Sequence, residues 1–579
     1  MPFAFIGKRL YNMKPKVRTM GCGVAQKSSP GTELKLFVHP PTLRFNMTPP
    51  PVGFVGRRAE LADLQANFDR GVLITSAAGD LGEGATALAR QLASMLSKDF
   101  PDGCLEIDLR GGMPDFVTPL LPAEAQRRLL RPFHPDALLP EEQGELDRLY
   151  RETFGNLKVL LLLDNIASAT QLRRLLPRQP SAVIVTTRNE FPVSSKLYSL
   201  SLHKLRTEDA HALLLQIAPE CARMRQRVLN KILQRFGGSP LALRLVGALL
   251  RDFYGRTPRG RGQPRALLSQ YNAIKKRLTA LRTSDANLAV TIALELAYEA
   301  MPEEQRSYFE ALAVFPAPFT RLAAMVVWGV DMKTADALLV AFVRSNLVMY
   351  TPETELYTLH EMVSFYAQEL MLGQPDRTRL VMARYAHYVL AEAARAGDLY
   401  NARGPYREEG VWRFSAIWPH LWAAWLRMSG ADPSWPHPGN VDRWLCDVVL
   451  RIFPMLSRVL PMTEQRVILE RVLESAQRLD RRAEATTLYF MGQIYTAQEE
   501  HTQALKCYER YLRIVYQLHD RKSEAEAMMH IGGACGALGD ARRAQESWRH
   551  ALALFRMIGD PRAAQLRVWL EALDRKMAR

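Results

Sequence analysis

"GDLGEGAT", residues 79–86, follows the apolar run "GVLIT" (71–75) and opens the helix-patterned "ATALARQLASMLS" (85–97). Its outline is G-x-x-x-x-G-K-[ST]. In such a loop the glycines turn backbone N–H groups inward around a phosphate, and the helix that follows points its positive end at the same anion. Gly79, Gly82 and Gly84 supply the turns, and Thr86 is in register to hold a Mg2+ ion through its hydroxyl. Position 85 departs from the pattern. Ala85 stands where a lysine would bridge the outer phosphates, and Asp80 and Glu83 bring two negative charges into the loop. Losing a hydrogen bond to a charged group costs about 1.5 to 3 kcal/mol. Removing one such donor from a reacting oxyanion slows chemistry by about 100- to 1,000-fold. The stretch therefore specifies a fold, weakened nucleotide binding, and hydrolysis that is absent or slow.

Around the loop the sequence alternates strand and helix. "CLEIDL" (104–109), "KVLLLLDN" (158–165) and "SAVIVTTR" (181–188) join "GVLIT" as short, continuously apolar strands. That pattern predicts a parallel sheet covered by helices on both faces. Asp164 ends one of these strands and is the candidate acid for the metal's coordination shell, or else a plain strand-end cap. From about residue 199 the strands nearly vanish, except for a hairpin-like "LVMYTPETELYTLH" (347–360), and helical periodicity takes over. Helices followed by a hairpin suggest a winged-helix element. Trp412, Trp418, Trp422, Trp425, Trp435 and Trp444 read as a helix-packing core rather than a ligand cage.

The C-terminal segment repeats with a period of 40 residues. Gly492 matches Gly532, Ala504 matches Ala544, Tyr508 matches Trp548, and Asp520 matches Asp560. Small residues at fixed positions let paired helices approach closely, and large ones fill the gap to the next pair. These are tetratricopeptide (TPR) type hairpins, with a degenerate unit near 441–480.

The chain has 579 residues, 48% hydrophobic and 23% charged, which suits several globular domains. No apolar run approaches the ~18 to 20 residues that span a bilayer. The six cysteines, at 22, 104, 221, 446, 507 and 535, form no C-x-x-C pair, which speaks against zinc or a disulfide framework and fits a cytoplasmic protein. Net charge is +16, of which the first fifty residues hold eight Lys/Arg against one acid. That excess attracts anions without specificity.

Seven motifs in order resemble the NB-ARC-type STAND NTPases, specifically bacterial regulators ending in TPR repeats, over about residues 52–579. "FVGRRAEL" (54–61) resembles the family's opening motif, which implies that the backbone of Val55, Gly56 and Arg57 lies beside the adenine. "GDLGEGAT" resembles its Walker A and brings Glu83, Ala85 and Thr86 to the phosphates. "LLLLDN" (160–165) resembles its Walker B, with Asn165 in place of a frequent second Asp. "VTTR" (185–188) implies that Arg188 senses the terminal phosphate. "GGSPLAL" (237–243) implies that Pro240 packs on the adenine. "LAVFPAPFT" (312–320) resembles the entry to the family's winged helix. "YTLHEMV" (357–363) implies that His360 touches the β-phosphate of bound ADP, with Glu361 where the family usually has Asp. Each has an alternative: Arg188 a surface arginine, Pro240 a simple helix start, His360 a packed histidine, the glycines a plain strand-to-helix turn.

The expected architecture is an α/β P-loop NTPase domain followed by an all-α helical lid, a winged-helix domain and an α-solenoid (TPR) tail. The segments are a disordered basic tail (1–47), the P-loop domain (48–198), the lid (199–280), the winged-helix domain (281–375), a helical linker with degenerate repeats (376–480) and the TPR repeats (481–579). No effector domain of recognisable size is read before residue 48. The resemblance implies ADP or ATP with Mg2+ as ligands, a protein partner on the TPR surface, and a nucleotide-dependent homo-oligomer. Two other readings stand beside this switch. One is a nucleotide-independent TPR scaffold. The other is a DNA-binding regulator using the winged helix and basic tail, although nucleic acid and membrane are not the expected partners.

Overall fold

The apolar segments around the loop form a five-stranded sheet in the computed structural model. It describes residues 44–577 except 52, 70, 77–81, 112–118, 135–138, 141, 190–196, 257–262, 281–287, 403–405, 431, 433–434, 437–440 and 461. The strands are β1 (Gly71–Ser76), β2 (Gly103–Asp108), β3 (Val159–Ile166), β4 (Ala182–Thr187) and β5 (Tyr198–Leu202). Their order is β2-β3-β4-β1-β5, and every neighbouring pair is parallel. Alternation along β3 shows why the strands are apolar throughout. Leu160 and Leu162 pack on one face with Leu88 and Leu92, while Leu161 and Leu163 pack on the other with Leu146 and Phe154. Leu88 and Leu92 belong to the helix after the loop, α1 (Ala85–Leu96), whose buried residues fall at helical spacing.

Two expectations need correction. β5 straddles the boundary drawn at 198/199, so the sheet reaches Leu202. Residues 44–47, assigned to a disordered tail, instead run along the edge of β2. Cys104 N–H donates to the Arg44 carbonyl (2.7 Å) and Asn46 N–H to the Cys104 carbonyl (3.1 Å). Covering the outer edge of β2 satisfies ladder groups that would otherwise be open. The rest of the expected tail, residues 1–43, lies outside the described residues.

Beyond the sheet the chain is mostly helical. The helices the argument uses are α2 (Pro240–Arg256), α3 (Glu361–Leu372), α4 (Tyr406–Met428), α5 (Met462–Leu479), α6 (Arg481–Ala497), α7 (His501–Gln517), α8 (Arg521–Ala537), α9 (Ala541–Met557) and α10 (Arg562–Met577). Helices at Arg321–Trp328 and Met332–Arg344 precede an antiparallel hairpin, β6 (Val348–Thr351) and β7 (Leu356–Leu359), and α3 follows it directly. Phe319 bridges to Tyr357 and extends the hairpin by one short pairing. One continuous apolar core runs from Leu205 to Cys507, across every boundary the sequence suggested in that range. Buried polar groups fasten it. His420 on α4 bonds the Pro318 carbonyl (3.0 Å) and the Tyr385 hydroxyl (3.1 Å), and Arg427 donates to the Val314 carbonyl (2.7 Å) beneath the Trp435 ring. The tryptophans pack as core: Trp425, Trp435 and Trp444 are buried, and Trp418 stacks on Trp422.

The period of 40 residues is a period of helix pairs, α6 with α7 and α8 with α9, which extend as a helical solenoid to α10. A methyl group at Gly492 would meet the Tyr508 ring at 2.5 Å, and one at Gly532 would meet Trp548 at 2.3 Å. Each glycine therefore faces the aromatic residue of its own partner helix. The ion pairs repeat as well. Buried Glu484 holds Arg481 (2.9 Å), and Glu524, forty residues on, holds Arg521 (2.8 Å).

Candidate functional site

The phosphate loop emerges between β1 and α1, at the carboxyl ends of the strands, where open parallel sheets place their ligands. Gly79 lies outside the described residues, with Asp80. Gly82 (φ 81°) and Gly84 (φ 91°) both sit in the left-handed region, which a side chain would strain. Ala85 is the first residue of α1, and Gly84 caps it with no side-chain hydrogen bond to its first-turn N–H groups. The "GGSP" segment packs against the loop. The Ser239 hydroxyl donates to the Gly82 carbonyl (3.4 Å), and Pro240 at the start of α2 lies 3.8 Å from where a Gly84 methyl would stand. Arg57 reaches the loop from the opening motif. Its guanidinium donates to the carbonyls of Glu83 (3.3 Å) and His203 and to Glu60 (2.9 Å). Val55 packs against the helical core, and Gly56 precedes Arg57 in a left-handed turn.

Thr86 and Asp164 meet directly. The Thr86 hydroxyl lies 2.9 and 3.0 Å from the two Asp164 oxygens, and Thr186 on β4 donates to the same carboxylate. Asp164 is held well above the ordinary carboxylate range, first by burial and then by the charge of Asp108 on the neighbouring strand. Hydroxyl and carboxylate oxygens are the donors a hard divalent cation takes, so this pair fits a nucleotide-borne Mg2+. Asn165, in left-handed conformation, turns its amide to Asp108 (3.1 Å).

The other expected contacts come from farther along the chain. Arg188, just past β4, forms a two-armed ion pair with Glu361, one arm at 3.1 Å. His360 caps α3, its Nδ1 accepting from Met362 N–H (3.2 Å). Enclosure by protein, then the charges of Arg188 and Arg90, hold its imidazole down at about 4. The ring is therefore neutral near pH 7 with its proton on Nε2, so it can donate to an anion without carrying charge. The loop, Thr86, Asp164 and the "GGSP" segment thus form one site, and Arg188 joins His360 through Glu361. Sequence reading missed Arg90, which donates to Glu106 through Nε (2.9 Å) and Nη2 (2.6 Å) on the same side of the sheet. Its signal was the four-residue spacing from Thr86, which puts both on one face of α1.

No protein-family model matches the chain. It is 30% identical over 352 residues to the regulatory protein AfsR of Streptomyces griseus, covering 59% of this chain and 35% of that protein. Identity to AfsR of Streptomyces coelicolor is 29% over 374 residues, covering 61% and 36%. The disease resistance protein RML1A of Arabidopsis thaliana matches at 24% over 281 residues, 45% of this chain and 26% of that protein. The chain thus spans about a third of the length of the AfsR relatives. Among solved structures, a signal transduction ATPase with numerous domains (STAND) from Pyrococcus horikoshii, with a tetratricopeptide repeat sensor, superposes with a TM-score of 0.52 at 16% identity. The match covers 92% of this chain and 76% of that one. With its parallel sheet and phosphate loop, the chain has the fold of a STAND-type P-loop NTPase, and in sequence it is similar to part of these regulatory and resistance proteins.

Proposed function

We propose that the chain is a nucleotide-controlled signalling switch. In this reading ADP holds the P-loop domain, a helical lid (199–280) and a winged-helix segment (281–375) closed, and the C-terminal TPR pairs sense a protein partner. The observation that carries it is the Arg188–Glu361 ion pair beside His360. It ties the end of β4 to α3, so a ligand touching Arg188 also acts on α3. A terminal phosphate would compete with Glu361 for Arg188, whereas a diphosphate would leave the pair intact. ADP and ATP would then favour different arrangements, which is the differential affinity a switch requires. Exchange for ATP would open the chain toward an oligomer. With Ala85 in the lysine position, hydrolysis is absent or slow, and ADP loses less affinity than ATP because the lysine serves mostly the outer phosphates. The relatives carry names of regulators and of a signal transduction ATPase, which agrees with this reading. Among the described residues, no helix is long and apolar enough to cross a membrane.

A nucleotide-independent scaffold is the second reading, favoured by Ala85 and by Glu83 buried in the loop. Denaturing natively purified protein and assaying the released nucleotide separates the two. Bound ADP supports the switch. Material that carries no adenine nucleotide, and whose Ala85→Lys variant neither gains ATP affinity nor changes oligomeric state, supports the scaffold.

A further inference from the structure

The loop has lost its lysine, yet its surroundings are acidic. Glu83 lies in the loop, and Glu106, Asp108 and Asp164 end or line β2 and β3 on the side of α1. A nucleoside diphosphate brought there adds more negative charge, so a cation is required. Arg188 is engaged by Glu361, and Arg57 by Glu60 and two backbone carbonyls. We propose that Arg90 supplies the positive charge missing at position 85. This inference rests on the nucleotide reading of the site.

Three observations support it. Arg90 lies one helical turn beyond Thr86 on the same face of α1, with a quarter of its side chain exposed. Its Nε and Nη2 both go to Glu106, so its remaining nitrogen, Nη1, is left to face another acceptor. Burial opposes the Arg90 charge, but Glu106, Asp164 and Asp108 keep it firmly protonated, and that charge also reaches His360. Arg90 is thus within electrostatic reach of both the metal-side acid Asp164 and the imidazole expected at the β-phosphate. Glu106 does not depend on Arg90 alone, because its other oxygen accepts from Thr48 N–H (2.8 Å). Arg90 can turn toward a phosphate while Glu106 stays anchored. A guanidinium suits this task, since its planar fork can serve a carboxylate and a phosphate at once.

The test titrates ADP, AMP and adenosine into the full chain as wild type, Arg90→Gln, Arg90→Lys and Glu106→Gln. Arg90→Gln should weaken ADP about 10- to 100-fold while leaving adenosine within about twofold. Arg90→Lys should recover part of the loss. Glu106→Gln, which frees the guanidinium, should tighten ADP by about threefold or more. A purely structural Arg90 would lower ADP and adenosine affinity in parallel, and Glu106→Gln would weaken both; either result overturns the assignment. Unchanged ADP affinity in Arg90→Gln overturns it too. A wild-type chain that takes up no adenine nucleotide instead overturns the nucleotide reading, so the two failures are distinguishable.

Discussion

Arg188 and Glu361, 173 residues apart, meet in a two-armed ion pair that joins the end of the central sheet to α3. Both side chains are mostly buried, 15% and 18% exposed. Burial pushes the Glu361 carboxyl up, and Arg188 only partly offsets that. Removing the cation should therefore hurt more than removing both charges. Arg188→Ala should destabilise the chain by about 2 to 3 kcal/mol, and adding Glu361→Gln should recover at least half. Chemical denaturation of the two single variants and the double variant measures this. Losses that simply add would show that the pair is not coupled.

Neighbouring glycines in α8 should respond with opposite signs. Gly532 faces the Trp548 ring, where a methyl group has no room, so Gly532→Ala should cost about 1 to 3 kcal/mol. Gly533 is exposed with nothing within 4 Å, so Gly533→Ala should gain about 0.5 to 1 kcal/mol from helix propensity alone. Thermal unfolding of both variants reads the sign directly. Equal effects would mean that the pair of helices does not pack as described.

These contrasts show what the sequence made legible. The four apolar strands and the 40-residue repeat are local or periodic patterns, and the strands match the structure within a residue or two. β5, "YSLSL", escaped because an edge strand with two serines lacks a continuous apolar signature. The pairing of residues 44–46 with Cys104 depends on an edge that exists only once β2 is in place. Arg90 and Glu361 gained their neighbours from strands and helices remote in sequence, so no local spacing reveals Glu106 beside one or Arg188 beside the other.

Acid should loosen the core through His420. Burial, only partly offset by its bond to Pro318, holds this histidine down at about 4 against an ordinary 6.5. Between those values the unfolded chain binds the extra proton, so stability falls as pH drops from about 6.5 toward 4 and is unaffected above 7. Lowering pH from 7 to 5 should cost about 1 to 2 kcal/mol through this group. Asp164, held high, acts oppositely: its stabilising share is present in acid and fades as pH rises toward neutrality. Denaturation at pH 7 and pH 5 in wild type and His420→Gln isolates the histidine, because the variant should lose that part of the pH dependence. An identical pH dependence in both would contradict the account.

The most direct test of the central claim is calorimetric titration of nucleotide-stripped full chain with ADP and with an unhydrolysable ATP analogue. The account predicts measurable ADP binding, tighter than that of the analogue, because the loop amides and the neutral His360 serve the inner phosphates while Ala85 and the Arg188–Glu361 pair disfavour the outermost one. No heat from ADP up to millimolar concentration, or tighter binding of the analogue, would contradict it.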